Sequence, residues 1–139
     1  MKQVQTIKAA IYCKSIPGKT AKSQERDLRL LCEKYGWAVN KVYCDPAMVA
    51  SLRKRMNGRA RLALISDQIM QENESDVILV WRIGMLGVAI DDLLWTLDEI
   101  HVQRHIQIVA PGDEIDTTVG GGMATKVVAA LAKVGQTAG

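Results

Sequence analysis

The sequence predicts an α/β domain of three layers, a mostly parallel sheet with helices on both faces. Three observations carry that expectation. Short β-prone segments alternate with helix-period segments along the chain, the order from which parallel sheets are built. Residues 76–81 (Asp-Val-Ile-Leu-Val-Trp) show no polar alternation after the first residue, as suits a central strand covered on both faces. The chain has 139 residues, 48% hydrophobic and 24% charged, enough for one well-formed core.

The elements follow in order. Residues 6–13 (Thr-Ile-Lys-Ala-Ala-Ile-Tyr-Cys) are short, apolar and β-prone. A loop containing Pro17 and Gly18 leads to a helix over residues 20–35, with Leu28, Leu31, Cys32 and Tyr35 on one face and Gly36 at the C-cap. Residues 37–43 alternate as a second strand. Residues 45–57 are irregular and basic, and residues 59–71 return to helical period with Leu62, Ile65 and Ile69 aligned. After the third strand, Ile90, Leu93, Leu94, Leu97 and Ile100 mark an amphipathic helix with Asp91 and Asp92 in its first turn. Residues 106–110 form a fourth strand, and Gly120-Gly121-Gly122 opens a last helix over residues 123–134. No repeat or linker divides the chain, so residues 1–139 are expected to be one domain with a frayed tail at 135–139. The Met and Trp residues are expected in cores, apart from Met85, expected in an exposed loop.

Composition bounds the partners. The net charge of +3 permits a nucleic-acid partner without arguing for one. Cys13, Cys32 and Cys44 lack metal-ligand spacing. Cys13 and Cys44 should close neighbouring strands, where a redox pair is conceivable, but free and mostly buried thiols are expected. His101 and His105 show no ligand pattern, so neither metal nor cofactor is expected. The polar start runs directly into a strand and no apolar run is long enough to cross a bilayer, so a cytoplasmic protein is expected.

Four segments carry candidate chemistry. Gly18-Lys19-Thr20 lies between a strand and a helix, like the end of a phosphate-binding loop. Cys13, however, stands where that loop's first glycine belongs. A helix-capping loop is the plainer reading. Arg53, Lys54 and Arg55, with Arg59 and Arg61, form the dense basic cluster, suited to DNA phosphates or to a solvated loop. Gly120-Gly121-Gly122 suits a hinge or an anion nest. Ala124, Val127, Val128, Leu131 and Val134 stripe the last helix, for self-association or for packing on its own sheet.

Around Tyr12-Cys13-Lys14-Ser15-Ile16 and Trp81-Arg82-Ile83-Gly84-Met85-Leu86-Gly87-Val88, the chain resembles the catalytic domain of serine site-specific recombinases (resolvases and invertases). That family reads Tyr-x-Arg-Val-Ser after its first strand and Lys-Leu-Asp-Arg-Leu-Gly-Arg after its third. Quieter matches agree in order and spacing. Ser23 to Leu28 resembles the family's helix entry, with Asp27 where the family has glutamine. Tyr35-Gly36-Trp37, Val42-Tyr43-Cys44-Asp45, Arg59-x-x-Leu62 and Ile115-Asp116-Thr117-Thr118 follow. The resemblance spans about residues 7–134 and implies strand order 2-1-3-4-5.

The resemblance also implies that five site positions are altered. Lys14 stands for the first arginine and Ile16 for the nucleophilic serine. Gly84 stands for the aspartate, and Met85 and Val88 for two phosphate-gripping arginines. The family's serine attacks a DNA phosphodiester while guanidiniums hold the charge of the transition state. Ile16 has no hydroxyl, Met85 and Val88 cannot grip phosphate, and Lys14 lacks the planar fork. Arg59 and Arg82 are the guanidiniums left near the implied site. The expectation is a catalytically inactive recombinase-like protein, a homo-oligomer or bound to a protein partner, with DNA contact possible through Arg59, Arg53, Lys54, Arg55, Arg61 and Arg82. Two alternatives stand beside it: an active module using Ser15 as nucleophile, and a phosphate- or nucleotide-binding regulator using Gly18-Lys19-Thr20. The family's last helix packs subunits together and leads to a DNA-reading domain; here no such domain is expected after residue 135.

Overall fold

The structure, a computed structural model, describes residues 6–45, 59–70 and 75–118. Its strands are β1 (Lys8–Lys14), β2 (Ala38–Asp45), β3 (Val77–Val80), β4 (Gln107–Ala110) and β5 (Ile115–Asp116). They form one sheet in the order β2-β1-β3-β4-β5, parallel except for β5, which runs antiparallel to β4. The helices are α1 (Ala21–Tyr35), α2 (Arg59–Met70) and α3 (Ile90–Leu97). A 3-10 turn, Ile83–Leu86, precedes α3, and a single π-helical turn, Asp98–Gln103, continues it.

Alternation along β1 splits the core into two layers. Ala10 and Tyr12 face a cluster with Ile78, Val80 and Ile108, closed by Leu64 and Ile65 of α2, Leu93 of α3, and Ile100. Ala9, Ile11 and Cys13 face the other side, with Val77, Leu79 and Val109, closed by Leu28 and Cys32 of α1. β1 and β3 contribute apolar residues to both layers, which is why neither shows a polar face.

Local chemistry sets the element ends. Thr20 is the N-cap of α1, its Oγ1 accepting the Ser23 amide at 3.1 Å. Gly36 ends α1 in the left-handed region at φ 73°, its N–H donating back to the Cys32 and Glu33 carbonyls. α3 has Ala89 at its N-cap, without a side-chain cap bond. Asp92 instead reaches back to accept the amide of Val88, the residue before the N-cap, at 2.8 Å. Edge strand β2 is pinned to α2 by Asp67, which accepts from Lys41 Nζ at 2.7 Å and from the Tyr43 hydroxyl. Both bonds hold the Asp67 carboxyl below its usual range. Cys13 and Cys44 are register partners on adjacent strands, and burial pushes the Cys13 thiol up to about 12.

Several side chains depart from the sequence expectation. Leu62 is exposed, and α2 buries Arg61, Leu64, Ile65 and Gln68. The expected stripe omitted polar residues, whereas Gln68 is buried by donating to Ser75 Oγ at 3.4 Å. On α3, Leu94 and Ile90 turn outward while Leu93 and Thr96 are buried. Tyr35 is exposed beyond the sheet edge and leans on Trp37, ring centroids 4.8 Å apart. Met85 packs against the core from the 3-10 turn, whereas Met70 and Trp95 are exposed. Hydrophobicity alone reversed these placements, because the short 3-10 turn draws its inner residues onto the core while the outer helix faces meet solvent.

Candidate functional site at the carboxyl edge of the sheet

β1 leads to β2 on one side and β3 lies on its other, so the chain reverses direction across the sheet between β1 and β3. In open parallel sheets that switch point, outside the carboxyl ends of the strands, is where ligands bind. The loops after β1 and β3 flank it, and together they carry every site position implied by the resemblance except the basic residues of the segment entering α2.

The β1 loop is short and internally satisfied. The Gln24 side chain clasps the end of β1, donating to the Lys14 carbonyl at 2.6 Å and accepting the Lys14 amide at 3.1 Å. Ile16-Pro17-Gly18-Lys19 forms a tight turn in which Ile16 and Lys19 exchange two backbone hydrogen bonds of 3.0 Å. Proline in second place and Gly18 at φ 84° in third mark it as type II. Ser15 Oγ accepts the Ala21 amide at 3.0 Å, in the first turn of α1. Lys19 Nζ donates to Asp27 at 2.6 Å and Ser23 Oγ at 3.1 Å, and sits 4.1 Å from the Trp81 ring centroid. The hydrogen bond from Lys19 holds the Asp27 carboxyl below its usual range.

The β3 loop is braced by the turn after β4. Gly112 donates its amide to the Trp81 carbonyl at 2.7 Å. The nearly buried Asp113 carboxylate accepts the Ile83 amide at 2.7 Å and an Arg82 guanidinium nitrogen at 3.4 Å. Arg82 also donates to the Gly112 carbonyl. Ile83 and Leu86 are buried, Gly84 and Met85 are half-buried, and Val88 is exposed.

A third group of residues joins the two sides. Asp45, at the end of β2, is buried and accepts the Tyr12 hydroxyl at 2.6 Å. It also accepts the first-turn amides of α2, Ala60 at 2.8 Å and Arg61 at 3.2 Å. A carboxylate at a helix N-terminus is favoured by the unpaired amides and the helix dipole. Burial, and then the bond to Asp45, drive the Tyr12 hydroxyl well above its ordinary pKa, so it stays protonated and donating. The Arg61 side chain is buried and pairs at 3.5 Å with Asp92, in the first turn of α3. Tyr12, Asp45, Arg61 and Asp92 therefore link the N-terminal ends of α2 and α3. The resemblance already contained Tyr12 and Asp45 as matched letters. Their partnership lacked a sequence signal, since 33 residues separate them.

Lys14, Ser15, Ile16 and the Gly18-Lys19-Thr20 segment thus lie on one side of the switch point, and Arg82, Gly84, Met85 and Val88 follow β3 on the other. Arg59 is exposed at the first residue of α2, whereas Arg61 is turned inward. Arg53, Lys54 and Arg55, the glycine run, and Ala124, Val127, Val128, Leu131 and Val134 lie outside the described residues. Among the described residues no helix is long and apolar enough to cross a membrane.

A five-stranded, mostly parallel sheet in the order 2-1-3-4-5 with an antiparallel last strand is an open α/β fold, and it is the order that the resemblance implied. The family model "Resolvase, N terminal domain" matches residues 9–137, and the chain belongs to that family. Among solved structures, the N-terminal catalytic domain of TP901-1 integrase is similar at 23% identity and a TM-score of 0.69, covering 93% of this chain and 94% of that one. A resolvase family site-specific recombinase from Streptococcus pneumoniae is similar at 18% identity and a TM-score of 0.70, covering 94% and 89%. At these identities the two structures establish the shared fold. No curated protein matches the chain.

Proposed function

We propose that this chain is a catalytically inactive serine-recombinase-like protein that works by self-association or by binding a partner protein, including an active recombinase, in a DNA context. What supports this reading is a kept fold around uncharged side chains at three positions that the resemblance assigns to the site. Tyr12, Asp45 and the Ile115-Asp116-Thr117-Thr118 turn match the family, while Ile16, Met85 and Val88 replace a nucleophile and two cations. A phosphodiester entering between the two loops would meet no hydroxyl at residue 16. At residues 85 and 88 it would meet a core-packed thioether and an isopropyl group. Losing a nucleophile alone costs roughly six orders of magnitude in a hydrolytic enzyme, and losing the charge stabilisation at the same time leaves little to rescue.

The two alternatives meet specific obstacles. Ser15 directs its oxygen to the Ala21 amide, on the side of α1. Lys19 is already held by Asp27, Ser23 and Trp81. The deciding experiment is recovery of the tagged chain from its own cells after crosslinking, with protein and nucleic acid both read. A parallel uncrosslinked sample is denatured to reveal covalent serine–DNA adducts. The expected result is co-recovered protein, this chain or another, with no adduct. A DNA adduct that vanishes in Ser15→Ala would overturn the proposal.

A further inference from the structure

We propose that Lys19 is the pin of a latch that holds the β1–α1 turn shut against the end of β3, with Asp27 and Trp81 as its two catches. The turn's own backbone bonds close only residues 16–19 on themselves. They fix its shape without fixing its position relative to the sheet. Gln24 Nε2 ties the Lys19 carbonyl to α1 at 3.3 Å and Ser15 Oγ accepts the Ala21 amide, and Lys19 adds the side-chain link that reaches both α1 and the end of β3. Lys19 Nζ bonds Asp27 and Ser23 on the first two turns of α1, and lies over the ring of Trp81, the residue that follows β3. An ammonium has three donors and no acceptor, so one head group can make an ion pair, a hydroxyl bond and a ring contact together. A cation within 6 Å of an indole centroid is in the range of attraction, which strengthens as water is removed. The Lys19 side chain is 18% exposed and that of Asp27 33%, so both are partly shielded.

Asp27 is the ion-pair partner of Lys19, at 2.6 Å. A carboxylate there supplies a full charge to Lys19 where an amide would supply only a dipole. Arg26 also approaches Asp27, at 3.6 Å, but its side chain is 71% exposed, so it serves as the control. The consequence is that Ser15 and Ile16, the residues at and beside the nucleophile position, are held in one backbone geometry. This inference rests on side-chain geometry alone and stands whether or not the chain cleaves DNA.

The test is residue-resolved amide hydrogen exchange on the full chain, comparing wild type with Lys19→Met, Asp27→Asn and Arg26→Gln. Methionine keeps the apolar stem and removes the charge. The expected result is exchange at least tenfold faster at the Ile16 and Lys19 amides in the first two variants. Ile11 and Leu79 in the sheet should be unaltered, and Arg26→Gln should behave as wild type. Unchanged exchange in the turn would overturn the latch. So would a rise in only one of the two variants, because a pin without its catch holds nothing. An equal acceleration at Ile11 and Leu79 would overturn it as well, since that marks loss of global stability in place of a released turn.

Discussion

Asp45 concentrates much of the site's organisation in a single carboxylate. Three donors converge on it, one phenol and two helix amides, and each comes from a different stretch of backbone than its own strand end. Hydrogen bonds to charged groups contribute about 1.5–3 kcal/mol each, and a buried acceptor that loses a donor keeps its desolvation cost. Tyr12→Phe removes one donor with little change of volume, so it is expected to destabilise the fold by about 2 kcal/mol. Asp45→Ala is expected to cost more, because it also uncaps α2, and Arg61 then stands beside the vacated position. The two effects should be strongly non-additive, since both remove the same bond. Urea unfolding of the single and double variants checks this. Equal and additive losses would mean that the phenol and the cap act separately.

At the scale of elements, the strands and helices were largely legible because their signals are local. The runs of apolar residues at 77–80 and 108–110, the Thr20 cap and the Gly36 stop each carry their reason within a few residues. The junctions were not legible, because their reasons lie across the sheet. Nothing near Gly112 in sequence explains its identity. A Cβ there would lie 2.6 Å from the Trp81 carbonyl oxygen, at the point where the turn after β4 bonds the end of β3. Gly87 has the same logic, with a Cβ falling 2.7 Å from the backbone of Leu93 in α3. The site loop after β3 is thus clamped at both ends by close backbone approach. Gly112→Ala is expected to destabilise by about 1–3 kcal/mol, the usual range for forced overpacking, and to shift the Trp81 indole resonance in an amide spectrum. Retention of both the wild-type stability and that resonance would show that the junction yields cheaply. The candidate site was legible as a set of positions through the family resemblance. Its wiring was not, since Lys19–Trp81 and Tyr12–Asp45 join residues 62 and 33 apart.

At the scale of the whole molecule, what stands out is where apolar surface remains. The outer side of α3 and its π-helical continuation presents Ile90, Leu94, Trp95 and Val102, with Trp95 53% and Leu94 47% exposed. Ile90 and Leu94, four apart, lie on one side of α3, Trp95 borders them, and Val102 lies in the π turn that continues the helix. The inner side of the same helix is fully engaged through Leu93 and Ile100, so this is surplus hydrophobicity and not a misplaced core. Exposed apolar side chains grouped on one element are candidates for an interaction site, and a large aromatic is the usual anchor. A protein that acts by assembly needs such a surface, and a second copy of the chain offers an identical one with which to pair around a two-fold axis. The expected outcome is that the wild-type chain self-associates at micromolar concentration in sedimentation equilibrium. Leu94→Ser with Trp95→Ser should then weaken the association by about 10⁴-fold, since both copies lose both side chains and burying each contributes about 1.5 kcal/mol or more. The unfolding midpoint of the dilute, dissociated protein should hardly move, because neither residue supports its own core. A monomeric wild type at high concentration would remove self-association from the proposal and leave the patch to a different protein. A loss of folding in the double variant would instead place these two residues in the core of the domain. The two measurements together decide whether the apolar side chains exposed on α3 form an assembly surface of this chain.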